Sequence, residues 1–170
     1  VPRDHRELAR ARALGIPVIR RAEALAEATG GHEHLVGVAG THGKSTTTVM
    51  VTEALKGAGV DATGVVGARV RAWNGNLSPG ADRTFVVEAD EYAISKTDRR
   101  PKFALFHPEV LITTNIIFDH PDIYRDETAT VAAFRELVKS IPSGGTWICN
   151  PKDPLTARIL QDHPLKDIKV

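Results

Sequence analysis

The sequence predicts an α/β fold in which a mostly parallel β-sheet carries helices on both of its faces. Short apolar runs alternate with helix-forming segments along the chain, as in strand–helix–strand units. The apolar runs are continuous rather than alternating, so their strands should be buried on both faces. A glycine-rich corner at 40–45 joins one of these runs to a helix. Together, these observations favour a sheet with a ligand site beyond the carboxyl ends of its strands.

Several segments have the composition of helices. Segment 6–14 is rich in Ala, Leu, Arg and Glu, which favour helix, and it is followed by Gly15. Segment 44–56 is followed by glycines at 57 and 59, and segment 127–140 ends before Pro142. The predicted helices are 6–14, 21–28, 44–56, 127–140 and 154–161.

The apolar runs between these helices are predicted as short strands. Segment 35–39 is continuously apolar, as expected for a buried strand, and segment 84–90 ends in carboxylates. The predicted strands are 16–19, 35–39, 63–67, 84–90, 109–116 and 146–149. Segment 74–82 is predicted as a loop, because Asn, Gly, Pro and Asp dominate its composition.

Composition and charge exclude several classes of protein. The chain has 170 residues and a formal net charge of +1, which gives no basic footprint for nucleic acid. The single cysteine, Cys149, excludes an internal disulfide and suits a reducing compartment. No apolar run approaches the roughly 20 residues of a membrane helix. We therefore expect a cytoplasmic protein without a nucleic-acid or membrane partner.

The corner Gly-Thr-His-Gly-Lys-Ser at 40–45 has the chemistry of a P-loop-type nucleotide-binding domain. Its glycines let the backbone approach an anion, and the helix that follows adds partial positive charge at its N-terminus. Lys44 would reach the β- and γ-phosphates, and Ser45 would offer a hydroxyl to Mg²⁺. The match is the shorter G-x-x-G-K-S, because the first glycine of the usual G-x-x-x-x-G-K-[ST] pattern falls on Val38. The alternative is an ordinary strand-to-helix turn with a solvated lysine.

Polar residues also end two further predicted strands. One strand leads into Glu-Ala-Asp-Glu at 88–91, and the next is followed by Asn115, Asp119 and His120. Because parallel strands bring their carboxyl ends to one edge, these residues should lie beside the glycine corner. Glu88 is well placed as a Mg²⁺ ligand, whereas imidazole suits softer metals than Mg²⁺. Standing alone, the acidic segment would be a solvated strand end and His120 a loop histidine.

Three segments in combination resemble the Mur ligases, ATP-dependent enzymes that build the peptide stem of bacterial cell-wall precursors. They are GVAGTHGKSTTT at 37–48, VVEADEY at 86–92 and LITTNIIFDHPDIY at 111–124. With its histidine, the first segment is similar to the corresponding segment of the enzymes that add L-alanine to UDP-N-acetylmuramate. The same segment is equally similar to that of the recycling branch, whose enzymes reattach a tripeptide to that sugar nucleotide. The stretch DRRPKF at 98–103 looks more like the recycling branch.

The resemblance implies a role for each matching residue. Lys44 and His120 would be catalytic, with Lys44 on the β- and γ-phosphates of ATP. Ser45 and Glu88 would hold a first Mg²⁺ ion, and His120 would contribute to a second. The residues implied to bind the nucleotide are Gly40, Thr41, His42, Gly43, Lys44, Ser45, Thr46 and Asn115. The implied cofactors are ATP and Mg²⁺, and the implied substrates are UDP-N-acetylmuramate and L-alanine or, alternatively, the tripeptide.

The resemblance also implies how the chain divides into domains. Residues 1–33 would be the tail of an N-terminal UDP-sugar-binding domain. Residues 34–170 would be an incomplete central ATP-binding domain, and the C-terminal domain would be absent. The chain could therefore need the other domains for peptide-bond formation through an acyl phosphate.

The sequence leaves two other functions open. A P-loop kinase or GTPase would use the same corner, but the sequence has no N-K-x-D guanine motif. A non-catalytic nucleotide-binding module would bind ATP without turning it over.

Overall fold

The computed structural model describes residues 4–119, 121, 123–162 and 167–170. Within this part of the chain, the helices are α1 (Arg6–Ala13), α2 (Arg21–Thr29), α3 (Lys44–Gly57), α4 (Glu127–Lys139) and α5 (Pro154–Asp162). The strands are β1 (His34–Ala39), β2 (Thr63–Val70), β3 (Gly75–Ser78), β4 (Thr84–Glu88), β5 (Ala93–Ser95), β6 (Asp98–Pro101), β7 (Val110–Thr113) and β8 (Thr146–Ile148). A short 3₁₀ helix, Lys102–Leu105, follows β6.

In the described part of the chain, six strands form one sheet in the order β3-β2-β4-β1-β7-β8. The strand β1 lies in the middle and pairs in parallel with β4 on one side and β7 on the other. The strands β2 and β8 continue the parallel arrangement, and the edge strand β3 runs antiparallel to β2. The predicted, mostly parallel sheet is confirmed, and the carboxyl ends of β4, β1 and β7 lie side by side.

Helices cover both faces of this sheet, as the sequence predicts. On one face, α3 packs Val51 and Leu55 against Val36 and Val38 of β1. The opposite face carries the larger cluster, to which α4 and α5 contribute. Its fully buried members include Leu111, Phe134, Leu137, Trp147 and Ile159. Because side chains alternate along a strand, the continuous apolar run of β1 supplies both cores.

The two tryptophans of the chain lie in different surroundings. Trp147 on β8 is fully buried, and its Nε1–H donates a hydrogen bond to Thr113 Oγ1 at 3.0 Å. Trp73, between β2 and β3, is half-buried, and its Nε1–H donates to Glu53 Oε1 at 2.6 Å. The buried hydrogen bond therefore ties β8 to the end of β7.

The five predicted helices are confirmed with ends that differ by one residue at most. The strands β4 and β7 end at Glu88 and Thr113, earlier than predicted. Residues 89–91 and 114–116 therefore already belong to the loops at the carboxyl edge of the sheet. No helix in the described ranges combines the length and the apolar composition needed to cross a membrane.

The predicted strand at 16–19 is wrong, since these residues form neither strand nor helix. Ile16, Val18 and Ile19 are about half exposed, at 54%, 49% and 52%. The segment has the apolar composition of a strand, but it does not pair with any strand of the sheet. Apolar character alone therefore does not make a strand without a neighbour to bond with.

The predicted loop at 74–82 is also wrong in its first half, where β3 forms. Leu77 and Ser78 pair with Val65 and Gly64 of β2, which continues to Val70 instead of ending at 67. The extended β2 offers unpaired backbone groups, and pairing them outweighs the turn-like composition of 75–78. A second antiparallel hairpin, β5–β6, was not predicted.

Candidate active site

The site is built around the corner at 40–45, in which residues 40–43 join β1 to α3. The backbone takes positive φ angles at Gly40 (128°) and Gly43 (83°), which residues with a side chain rarely adopt. A Cβ atom at Gly40 would also lie only 2.7 Å from the Asn115 carbonyl oxygen. The two glycines therefore permit both the turn and the close approach of the loop after β7.

The loop after β7 braces the corner through Asn115 and Thr114. The N–H groups of Thr41 and His42 donate to the backbone oxygen and to Oδ1 of Asn115, at 2.9 and 3.0 Å. The hydroxyl of Thr114 donates to the His42 carbonyl oxygen at 2.6 Å. Asn115 thus holds the corner in shape here, and the backbone donors of Thr41 and His42 are already used.

The first turn of α3 leaves backbone donors for an anion. The N–H groups of Lys44, Ser45 and Thr46 have no acceptor within the helix, because they lie in its first turn. Gly43 precedes them and makes no side-chain cap. These N–H groups and the helix dipole form the type of N-terminus at which phosphate binds.

Lys44 is folded back under the corner. The residue is largely buried, with 8% exposed, and Nζ donates to the carbonyl oxygens of Gly40 and Thr41 at 2.8 and 3.2 Å. Nζ also contacts both carboxylate oxygens of Glu91, at 2.9 and 2.7 Å. The lysine that the sequence motif assigns to phosphate is therefore engaged with protein acceptors.

Glu91 is the site residue that sequence reasoning missed. An isolated acidic strand end would be solvated, but Glu91 is only 3% exposed. Burial raises the pKa of Glu91, and the hydrogen bond from Lys44 opposes that rise. The sequence signal was the third carboxylate of the 88–91 segment, which has no assigned role until the fold brings it to Lys44.

Ser45 and Glu88 meet at the position expected for a metal. Ser45 Oγ–H donates to Glu88 Oε2 at 2.8 Å, and the Gly67 N–H donates to the same oxygen at 2.7 Å. A hydroxyl and a carboxylate are hard oxygen donors, and Mg²⁺ often takes one or two such ligands together with phosphate oxygens. The described residues contain no cluster of three or more His, Cys, Asp or Glu side chains that could hold a metal alone. The donor set therefore fits a Mg²⁺ ion that shares its shell with a nucleotide.

The structure brings most of the predicted site residues to one edge of the sheet. His42 contacts Asn115 there and Ser45 contacts Glu88, as expected from the parallel strands. His42 and Thr46 are exposed at the corner, and Asp119 is partly buried. His120, predicted as catalytic and as a metal ligand, lies outside the described residues.

A cavity of about 280 Å³ opens beside this edge. Glu88, Gly67 and the ion pair between Asp90 and Lys102, whose Oδ2 and Nζ are 2.8 Å apart, line one part of it. Apolar side chains from β2 and α2, including Val65 and Leu25, line another. A second substrate therefore has room next to the proposed metal ligands.

Comparison with known proteins identifies the family to which the chain belongs. A model of the Mur ligase middle domain matches residues 38–170. The chain is 40% identical, over its whole length, to a UDP-N-acetylmuramate–L-alanine ligase of Frankia casuarinae. It is 44% identical over 150 residues, 88% of the chain, to the ligase of the same name from Salinispora tropica. The aligned parts are 33% and 28% of those relatives, so the chain spans about a third of their length.

Solved structures of Mur ligases also resemble this chain. The chain superposes on UDP-N-acetylmuramate:L-alanyl-γ-D-glutamyl-meso-diaminopimelate ligase from Neisseria meningitides with a TM-score of 0.83. That match has 29% identity and covers 99% of this chain and 55% of the other. The UDP-N-acetylmuramate–alanine ligase of Thermotoga maritima gives a TM-score of 0.76 at 28% identity, over 94% of this chain and 35% of the other. Since the family model matches most of its length, this chain belongs to the Mur ligase family and carries the middle domain of that family.

Proposed function

We propose that the full-length protein joins L-alanine to UDP-N-acetylmuramate at the expense of ATP, and that this chain supplies the ATP site. The observation that carries the proposal is the contact between Ser45 and Glu88 beside the open N-terminus of α3, the helix that begins at Lys44. The identity of about 40% to relatives named UDP-N-acetylmuramate–L-alanine ligase supports the choice of substrates.

The proposed reaction begins when the muramate carboxylate attacks the γ-phosphorus of ATP, giving an acyl phosphate and ADP. The amino group of L-alanine then attacks the acyl carbon, and inorganic phosphate leaves as the amide forms. Such phosphoryl transfer depends mainly on positioning and on neutralising charge. Lys44 and the N–H groups of the first turn of α3 would orient the phosphates. The cavity beside Glu88 would hold the sugar nucleotide with its carboxylate next to the γ-phosphate of ATP.

We further propose that Ser45 and Glu88 ligate Mg²⁺ and that His120 contributes to a second Mg²⁺ site. A bound Mg²⁺ ion would offset the negative charge of the phosphates. Thr41 and Asn115 would act by keeping the corner in shape, because their polar groups are used within the protein. Residues 1–33 would belong to a preceding sugar-nucleotide domain, which is consistent with a family match that begins at residue 38.

A second candidate is the recycling reaction, in which the amine is the tripeptide instead of L-alanine. The TM-score of 0.83 to the Neisseria enzyme favours it, as does the DRRPKF stretch, which contains β6. Both candidates use the same ATP site and the same sugar nucleotide. They differ in the amine alone.

The deciding experiment is a phosphate-release assay on the full-length protein with ATP, Mg²⁺ and UDP-N-acetylmuramate. We expect phosphate release to require an amine and kcat/KM to be higher for L-alanine than for L-alanyl-γ-D-glutamyl-meso-diaminopimelate. Higher kcat/KM for the tripeptide would favour the recycling reaction. ATP hydrolysis at the same rate with and without either amine would contradict the ligase proposal.

Lys44→Ala serves as the site control in that assay. We expect it to lower kcat by about a thousandfold or more, since it removes the charge that stabilises the transferred phosphoryl group. Lys96→Ala, on the turn between β5 and β6, is the matched substitution away from the corner. Unchanged turnover in Lys44→Ala would refute the assignment of the corner to ATP.

A further inference from the structure

The ammonium group of Lys44 has no spare donor in this structure. A lysine ammonium carries three N–H donors and no acceptor. Nζ of Lys44 donates to the carbonyl oxygens of Gly40 and Thr41 and to the carboxylate of Glu91. A phosphate oxygen can therefore bind Nζ only if one of these three acceptors is given up.

Two of the three acceptors are fixed by the backbone. Gly40 and Thr41 form the corner, which the N–H of Thr41 and both polar groups of Asn115 hold in place. Moving either carbonyl oxygen would distort the turn that presents the N–H groups of α3. The carbonyl oxygens of the corner are thus poor candidates for release.

Glu91 presents the movable acceptor. Its backbone is anchored, because the Tyr124 hydroxyl donates to its carbonyl oxygen at 3.1 Å. The backbone oxygen of the preceding residue, Asp90, accepts from the Phe103 N–H at 3.0 Å. The side chain of Glu91, however, reaches Lys44 through rotatable bonds, and neither of these backbone contacts involves its carboxylate. A phosphate oxygen that replaces its carboxylate would also keep the ammonium paired with a negative charge.

We propose that Glu91 is a positioning residue that holds Lys44 against the corner before nucleotide binds, and that a triphosphate exchanges places with this carboxylate at Lys44 Nζ. The inference rests on the proposed nucleotide site and adds a residue to it. Glu91 then competes with the nucleotide for the same ammonium, so its charge weakens nucleotide binding. The energetic benefit is that Lys44 never lies buried without a counter-ion, a state that would be costly.

The test measures the affinity of the full-length protein for the non-hydrolysable analogue adenylyl imidodiphosphate with Mg²⁺, by isothermal titration calorimetry. Glu91→Gln keeps the shape and one acceptor oxygen but removes the competing charge. We expect its Kd to fall by about tenfold, roughly the difference between a charged and a neutral hydrogen-bond partner. Glu136→Gln, which removes the same charge from an exposed ion pair with Lys139 on α4, should stay within about twofold of wild type.

A Glu91 with a merely structural role would give the opposite result, because loosening the site weakens binding. An unchanged or higher Kd in Glu91→Gln therefore overturns the inference while leaving the nucleotide site intact. Failure of the wild-type protein to bind the analogue would instead contradict the proposed function itself.

A crystal structure of the wild-type protein with the analogue tests the same exchange without any substitution. We expect Lys44 Nζ to lie more than about 4 Å from the Glu91 carboxylate, beyond ion-pair distance, and within hydrogen-bond distance of a phosphate oxygen. Retention of the present contact at 2.7 Å, with phosphate bound, would overturn the inference.

Discussion

Gly40 shows how tightly single residues are constrained at the corner. Its φ angle of 128° lies where residues with a Cβ atom rarely occur, and the Asn115 carbonyl oxygen occupies the space that a methyl group would need. Gly57, at the end of α3, has neither constraint, since no atom would lie within 4 Å of an added Cβ. The two glycines therefore form a matched pair for mutagenesis.

We expect Gly40→Ala to weaken binding of an ATP analogue by at least about tenfold and to lower the free energy of unfolding by about 1–3 kcal/mol. Gly57→Ala should leave binding unchanged and raise the free energy of unfolding by up to about 1 kcal/mol, since alanine favours helix. Calorimetric titration and urea unfolding of both variants measure these effects. Wild-type affinity in Gly40→Ala would show that the close approach to Asn115 is dispensable.

At the residue scale, the sequence predicted the part of the site that follows from local pattern. The glycines, Lys44 and Ser45 stand in a recognisable order, and Glu88 ends a strand of the same sheet. Glu91 could not be assigned in this way, because its role depends on where Lys44 points in three dimensions. An acidic residue after a strand is usually solvated, and here the fold buries it.

The strands β1 and β7 are joined at their amino ends by a contact between side chains. Nδ1 of His34, the first residue of β1, lies 2.7 Å from Oε2 of Glu109, which precedes β7. The hydrogen bond to Glu109 raises the pKa of His34 above its ordinary value of 6.5. The pair therefore favours the protonated imidazole in the folded chain.

The sign of the pH effect follows from this raised pKa. The stabilisation is fully present below the unfolded-state pKa of His34, near 6.5, and is lost as pH rises through the higher folded-state pKa. We expect the difference in unfolding free energy between wild type and His34→Gln to be larger at about pH 5.5 than at about pH 8.5. Urea unfolding across this range measures the difference.

Glu109→Gln provides the control for that measurement. With the carboxylate removed, substitution of His34 should no longer change how stability depends on pH. If the dependence on His34 persists in the Glu109→Gln background, another group near His34 must be responsible; Glu33 also raises its pKa.

Among the elements, helices were predicted more accurately than strands, and the reason is physical. Helices such as α3 and α4 are determined by local composition and by nearby glycine or proline. A strand needs a partner, so β3 forms from a turn-like sequence because β2 lies beside it, whereas 16–19 stays outside the sheet. Pairing between distant segments is the information that a local pattern lacks.

At the scale of the whole molecule, the sheet separates two cores of unequal size. The larger core lies under α4 and α5 and contains Leu111 and Trp147, which are neighbours in the register of β7 and β8. The next residue on β8, Ile148, points away from that core and is 52% exposed. The free energy of unfolding should therefore depend strongly on the side chain of Leu111 and weakly on that of Ile148.

We expect Leu111→Ala to lower the free energy of unfolding by about 2–5 kcal/mol, because it leaves a cavity in a fully buried place. Ile148→Ala removes a similar apolar group from an exposed site and should cost no more than about 1 kcal/mol. Equilibrium urea unfolding of the two variants measures the contrast. Equal losses for both would mean that β8 is buried by a surface outside the described residues.

The burial of Trp147 gives the molecule a built-in optical reporter. An indole enclosed by hydrocarbon emits at shorter wavelength than one in water, so loss of the larger core should shift its fluorescence to the red. Trp73 sits half-buried between β2 and β3, close to solvent, and contributes a separate signal. Replacing Trp73 with phenylalanine would leave a single emitter inside the core, by which the opening of this domain can be followed without any added dye.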